Sequence, residues 1–274
     1  MIDELNYGYD TEKLKGMEIL TIPSMDKRAV LNCFTTRNGG ISKEPYQTLN
    51  LSLTRPCFNS FDVLQNYSIL CNELGILKEE MVIVNFCHGD GIAIVDEKLG
   101  GNGLLYPNRL PPCDALITNR ERVALTTIHA DCSSLLIYDP IMKVVAACHA
   151  GWKGTLKRIG AKTIVKMEEA FGTHPENCII GIGPNISFDK FEVDNCVADS
   201  FIREYGSQFV KYIGNSKYLI DLTMCAISQL LSVGVCARNI TIAGNCTFTE
   251  KERFFSYRRD KESAGAMASV IMLK

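Results

Sequence analysis

Four histidines stand in the 274-residue chain, at positions 88, 129, 149 and 174, and three of them share a setting. His88 lies in FCHGDG, His129 in IHADCS and His149 in CHAGWKG, each closing an apolar run beside a glycine, cysteine or aspartate. One histidine at a strand end is most often a hydrogen-bonded structural residue, but three in such similar places point to a site. If the strand ends converge, the donors are two or three imidazoles and the thiolate of Cys132. That set suits zinc, and three protein ligands leave a fourth position for water, as in catalytic centres. Zinc brings the pKa of such a water toward neutrality and can polarise a bound oxygen. The competing reading makes Cys132 a small core residue that opens the run SSLLIY. Asp131 either orients a ligand histidine through its second nitrogen or serves as a turn aspartate. His174, in FGTHPEN, reads as a solvated or helix-terminating residue.

Anion-binding chemistry has its own candidates. In CHAGWKGT, Gly151 and Gly154 permit a sharp turn and a close approach to a ligand. The spacing predicts a helix beginning near Gly154, whose N-terminus would favour an anion with Lys153 adding charge. Trp152, the only tryptophan, either stacks on a planar ring or plugs the turn. Arg37 precedes Gly39-Gly40 in FTTRNGGIS, and GIGPNISFDKFEVD ends another apolar run in glycines. Arg258 and Arg259 follow Tyr257 in RFFSYRRDKESAGA. An arginine pair is usually a solvated face; beside such turns it becomes a candidate for phosphate or carboxylate. Arg37, Lys153 and Arg258 are the residues selected for that role.

These residues must be positioned by strands and helices, and the hydrophobic pattern supplies both. Strands are expected at 18–23, 29–36, 81–86, 91–96, 114–118, 122–129, 134–139, 143–149, 178–183, 239–244, 254–258 and 267–273. Helices are expected at 61–74, with Val63, Tyr67, Leu70 and Leu74 in phase, and at 154–171, with Leu156, Ile159, Thr163 and Met167 on one face. Two more are expected at 194–205 and 222–233. Strands follow one another between 114 and 149 with short turns, so part of the sheet is a meander rather than a series of βαβ units. The irregular stretch 99–113 reads as a surface loop. With no repeat and no linker, the reading is one mixed-sheet α/β domain over 1–274.

Composition narrows the partners. A hydrophobic fraction of 46%, a charged fraction of 22% and a net charge of −2 describe an ordinary globular chain, with no basic stripe for nucleic acid or an anionic membrane. MIDELNYGYD lacks the basic-then-apolar pattern of a signal peptide, and no apolar run reaches the roughly 20 residues of a membrane helix. The expectation is a cytoplasmic protein, monomeric or homodimeric. Its 12 cysteines are scattered without a C-x-x-C pair, so they read as reduced packing residues.

Taken together, FTTRNGG with YQTLNLS, HG at 88–89, DALIT with ADC, HAGWKG, GIGP, and FFSYRRD with MASVI resemble the YfiH-type laccase-domain family of polyphenol oxidases and purine nucleoside phosphorylases. In order and spacing these motifs span residues 33–272. The resemblance implies an α/β sandwich related to cysteine hydrolase and deamidase domains, with His88, Cys132 and His149 as both metal ligands and catalytic residues. It further implies zinc-dependent phosphorolysis of adenosine, inosine and methylthioadenosine, and deamination of adenosine. Two positions depart from the family pattern. Phe86 stands where a glutamine is expected, and Ala266 where an arginine is expected in a GRMAS-like context.

Two rival chemistries use the same residues. One is a cysteine amide hydrolase with Cys132 as nucleophile and His149 as base. The other is a copper-dependent, laccase-like phenol oxidase, disfavoured because blue copper chemistry wants many more than four histidines.

Overall fold

Val144–Ala150 is buried along its whole length because its two faces meet different partners. Val144, Ala146 and Cys148 point to one core, while Val145 and Ala147 point to another. A strand covered on both faces reads as a continuous apolar run, which is why the sequence announces it so plainly. The computed structural model describes residues 4–53, 60–84 and 86–274, so Cys57 and Asn85 lie outside the described residues.

Two large mixed sheets form the centre. The seven-stranded sheet runs in the order Asn6–Tyr7, Ile240–Ile242, Ile179–Ile182, Ser133–Asp139, Val144–Ala150, Ala115–Thr118 and Ile92–Ile94. The six-stranded sheet runs Asp10–Leu14, Met17–Thr21, Val30–Thr35, Met267–Leu273, Ala124–His129 and Met81–Ile83. Their facing side chains, among them Phe34, Leu125, Leu136, Val145 and Ile271, make the inter-sheet core. On the outer face of the first sheet pack the helices Ile159–Phe171 and Leu222–Ser232, through Ile164, Met167, Ile227 and Leu230. Against the outer face of the second packs Ser60–Leu74, through Val63, Tyr67 and Leu70. The fold is therefore mixed α/β, with helices outside two stacked sheets.

Several elements differ from the sequence expectation, among them the strands Asn6–Tyr7 and Asp10–Leu14, which it did not include. Residues 254–258 form no strand; the chain turns at Ser256 into the short helix Tyr257–Asp260, the Ser256 hydroxyl accepting from the Arg259 N–H at 3.2 Å. The helix expected over 154–171 is two helices, Trp152–Leu156 and Ile159–Phe171, broken where Arg158 takes a left-handed backbone at φ 62°. A third, three-stranded sheet of Glu192–Asp194, Lys217–Ile220 and Val210–Gly214 was not anticipated; its strands are short, and only Val193 and Ile220 in them are buried. The 11 cysteines among the described residues are all free thiols, as expected. No helix among the described residues is long and apolar enough to cross a membrane.

Candidate metal centre

His88, Cys132 and His149 come from three separate strand ends, yet their ligand atoms all lie within 4.8 Å of one another. Each is delivered by an abrupt backbone change. His149 sits near the end of Val144–Ala150, just before Gly151 caps the short helix. Cys132 follows Asp131, which adopts φ 88° between the strands Ala124–His129 and Ser133–Asp139. His88 itself takes φ 54° in the turn beyond Met81–Ile83. Left-handed backbone at two non-glycine residues is costly unless the surroundings over-determine it, and it marks a turn built for its side chain.

One residue does most of the fixing, and the sequence reading saw it only as the opening of DALIT. Asp114, fully buried, accepts the backbone N–H groups of Cys87, His88 and Gly89 at 3.2, 3.0 and 2.8 Å. It also accepts the Cys87 thiol at 2.9 Å and bonds His149 Nδ1 at 2.9 Å. The same carboxylate thus ties the His88 turn to the His149 ring. With Nδ1 held by Asp114, Nε2 is the His149 nitrogen that would bind a ligand once it gives up its proton. Burial alone would raise the Asp114 carboxyl, but the bonds from His149, Cys87 and Gly89 outweigh it and hold the group well below the usual carboxylate range. A buried acid beginning a strand next to a histidine-bearing loop was the available signal.

The electrostatics favour a thiolate. Burial pushes the Cys132 thiol up, yet the charge and hydrogen bonds of His149, joined by His88, bring it to about 6. Burial lowers His149, and the Cys132 thiolate with Asp114 reverses this and raises it to about 9. Two nitrogens and a deprotonated sulfur in one small space are what zinc takes, so the donor chemistry fits. The glycines fit as well. A Cβ on Gly151 would stand 3.2 Å from both Cys132 Sγ and His88 Cδ2, and one on Gly154 only 2.8 Å from the Gly89 carbonyl. The bare backbone at 151 therefore keeps room among the three ligands, and Gly154 lets the two histidine-bearing loops touch.

The other selected residues lie elsewhere. Arg37 donates to the carbonyls of Gln47 and Lys251, each at 2.9 Å, and stacks 4.5 Å over Phe255. Arg258 gives its guanidinium to the Glu192 carbonyl at 2.9 Å and packs over Phe191. Lys153 is exposed, its ammonium 5.5 Å over the Trp152 ring. None of these three is among the residues lining the cavity beside the ligand trio, although the Arg258 N–H bonds Asp131, next to Cys132. Trp152 plugs the turn, packed with Leu156 and Val197 against the core of the small sheet. Asp131 orients no ligand histidine: its carboxylate accepts the Thr247 hydroxyl and the Arg258 N–H, each at 2.6 Å.

A cavity of about 840 Å³ opens onto the trio, with His88, Cys132 and His149 in its wall. Most of the remaining wall is apolar, including Ile83, Val84, Ile128 and Ala130, with Tyr106 and Tyr257 also lining it. Tyr106 comes from the 99–113 loop, which is held down where buried Asn102 donates to the Ile83 carbonyl at 2.8 Å.

A family model described as "Multi-copper polyphenol oxidoreductase laccase" matches residues 31–274. The chain belongs to this laccase family. It is 30% identical over 254 residues to "Purine nucleoside phosphorylase YlmD" of Bacillus subtilis, covering 92% of this chain and 91% of that protein. It is 32% identical over 259 residues to "Purine nucleoside phosphorylase YfiH" of Escherichia coli, covering 94% and 100%. Among solved structures, YlmD from Geobacillus stearothermophilus is similar with a TM-score of 0.91 at 28% identity, covering 97% of this chain and 98% of that one. The "hypothetical protein YfiH" of Bacillus licheniformis gives 0.89 at 30% identity, covering 93% and 96%. In this laccase-family chain both departures from the expected pattern, Phe86 and Ala266, line the cavity, and the Phe86 ring lies 5.0 Å from that of His149. They alter the wall and leave the donor trio intact.

Proposed function

We propose that the protein is a zinc-dependent purine nucleoside phosphorylase of the cytoplasm, the chain acting as one catalytic domain on adenosine, inosine and methylthioadenosine, with adenosine deaminase activity at the same site. The observation that carries this reading is the His88, Cys132 and His149 cluster set into the wall of a cavity of about 840 Å³, ample for a nucleoside beside phosphate. The names of the relatives support the same substrate class. When bound, zinc supplies Lewis-acid polarisation and a water of lowered pKa. In phosphorolysis a phosphate oxygen bonds to C1′ as the C1′–N9 bond breaks and the purine takes up a proton. In deamination water replaces the amino group at C6, which leaves as ammonia. Asp114 keeps His149 in one tautomer throughout, and the apolar wall of Ile83, Val84, Phe86 and Ile128 excludes bulk water from the reacting atoms.

Purified protein incubated with adenosine or inosine, with and without phosphate, and resolved by chromatography tests the proposal. Free base and ribose 1-phosphate are expected only with phosphate, and ammonia from adenosine without it. Neither product from zinc-loaded protein would sink the reading.

A second reading rests on the same geometry. Cys132, with its thiol brought to about 6, stands beside His149, which Asp114 holds in turn. That order of nucleophile, base and orienting acid is the one a cysteine amide hydrolase uses, and the resemblance to hydrolase folds belongs with it. Turnover that survives a chelator would select this reading. A copper oxidase finds one suitable donor set here but no second one: among the described residues His88, Cys132 and His149 are the single cluster of three.

A further inference from the structure

His129 takes no part in the chemistry above, yet it forms part of the cavity wall while only 3% exposed. It ends the strand Ala124–His129 and pairs across the sheet with Met267. Its Nε2 shares a hydrogen bond of 2.7 Å with the Ser269 hydroxyl on that neighbouring strand. Its Nδ1 is buried and has no hydrogen-bond partner. Whichever nitrogen carries the proton, one polar atom in an apolar wall is unsatisfied, and native structures rarely leave such an atom without a purpose. The ring stands apart from the donor trio, and burial, with the nearby charge of His149, keeps it neutral.

The surroundings decide what would satisfy it. The flanking wall residues Ile128, Ala130 and Ala266 offer only hydrocarbon side chains, and Val84 and Phe86 extend the apolar surface. Phosphate needs charge, and a ribose needs several partners for its hydroxyls. A flat heterocycle needs apolar contact and one or two neutral hydrogen bonds, which matches this wall.

We propose that His129, through Nδ1, hydrogen-bonds N3 or N7 of the purine, so that it is a specificity-determining residue for the base. This rests on the nucleoside reading and deepens it. Bulk water does not reach Nδ1, so engagement involves a pivot of the imidazole toward the cavity. Ser269 keeps Nε2 occupied and leaves Nδ1 as the nitrogen for the ligand.

The test compares His129→Asn, whose amide nitrogen replaces Nδ1, with His129→Gln, whose amide replaces Nε2, and with His129→Phe. Zinc content and thermal midpoint report whether each variant is intact. Substrates are inosine and analogues with N3 or N7 replaced by carbon, and calorimetry with hypoxanthine and adenine reads binding without turnover. Loss of one good hydrogen bond predicts a roughly 10-fold fall in kcat/KM for His129→Phe and His129→Gln, with His129→Asn retaining most activity. One deaza analogue should then show a similar fall with the wild-type protein and no further fall with His129→Phe. Equal losses for wild type and His129→Phe on every analogue would overturn the inference while leaving the phosphorylase standing. A wild-type protein that turns over no nucleoside but binds free base in a His129-dependent way would keep the inference and remove the reaction. Neither turnover nor base binding overturns both.

Discussion

Asp114→Asn is the substitution whose consequences the structure defines most closely. One carboxylate oxygen serves the His88 N–H and His149 Nδ1, and the other serves the Cys87 and Gly89 N–H groups and the Cys87 thiol. An asparagine has one accepting oxygen. Its NH₂ must face either the first pair or the second group, so at least two donors, one of them buried, lose their acceptor whichever way the amide turns. Hydrogen bonds to a charged group contribute about 1.5–3 kcal/mol each, so the direct loss is about 3–6 kcal/mol before relaxation. Reorientation of the exposed Cys87 and His88 turn recovers part of this, and a net loss of about 3 kcal/mol is expected. For a chain of this size that lowers Tm by about 6–12 °C. Zinc affinity should fall by about 10- to 100-fold, because His149 is no longer fixed in its ligating tautomer. Calorimetry of the metal-stripped protein and a competition titration against a chromophoric chelator read the two effects separately. A variant that keeps wild-type zinc affinity within about twofold refutes the assignment of Asp114 as the residue that orients the site. The pH dependence has a definite sign. The folded carboxyl is held below its unfolded value of about 4, so its stabilisation is present above that pH and is lost as pH falls further. Below about pH 4 the wild-type protein should therefore lose stability more steeply than Asp114→Asn.

Three further perturbations separate the site from its scaffold. Gly151→Ala places a methyl 3.2 Å from Cys132 Sγ and His88 Cδ2, so zinc affinity should drop by about tenfold or more with little change in urea stability. Unchanged affinity in the chelator competition would contradict it. Arg37→Ala should cost about 1–2 kcal/mol in urea denaturation, through lost bonds to Gln47 and Lys251 and the lost Phe255 stack, and should leave KM for phosphate unaltered. A rise in that KM would restore Arg37 to the site. Gly183→Ala drives a methyl to within 2.3 Å of the Phe34 ring between the two sheets, and overpacking of about 1–3 kcal/mol should appear as a lower urea midpoint.

The parts of this molecule that were legible in the sequence are those whose side chains report their own burial. Strands covered on both faces, such as Ser133–Asp139 and Met267–Leu273, carry near-continuous apolar stretches, LLIY and VIML, because both faces are buried. The donor trio was legible for a related reason: His149 stands at the end of such a run, and His88 and Cys132 stand in the turns beside one. Features set by distant partners were not legible. Residues 254–258 look like a strand, but the Arg258 N–H bonds Asp131, 127 positions away in sequence. The break at Arg158 lies inside an uninterrupted helical period, and its guanidinium is met by Glu204 and Ser232 from other helices. Asp114 looked like a strand opening because the five donors it gathers come from 87–89 and 149. Lys153 stood out at a helix start and Arg258 as one of an arginine pair, and only the structure adds that their charges pack over Trp152 and Phe191.

The three donors are graded in burial, with His149 buried, Cys132 intermediate and His88 exposed. That gradient would give metal traffic a direction. Cys132 and His149 would hold an ion from the inside, and His88 would cover it from the solvent side. Changes in the 87–89 turn, which Asp114 holds, would then bear more on how fast an ion is given up to a competing chelator than on how tightly it is held at equilibrium, so residence time and affinity could be tuned apart.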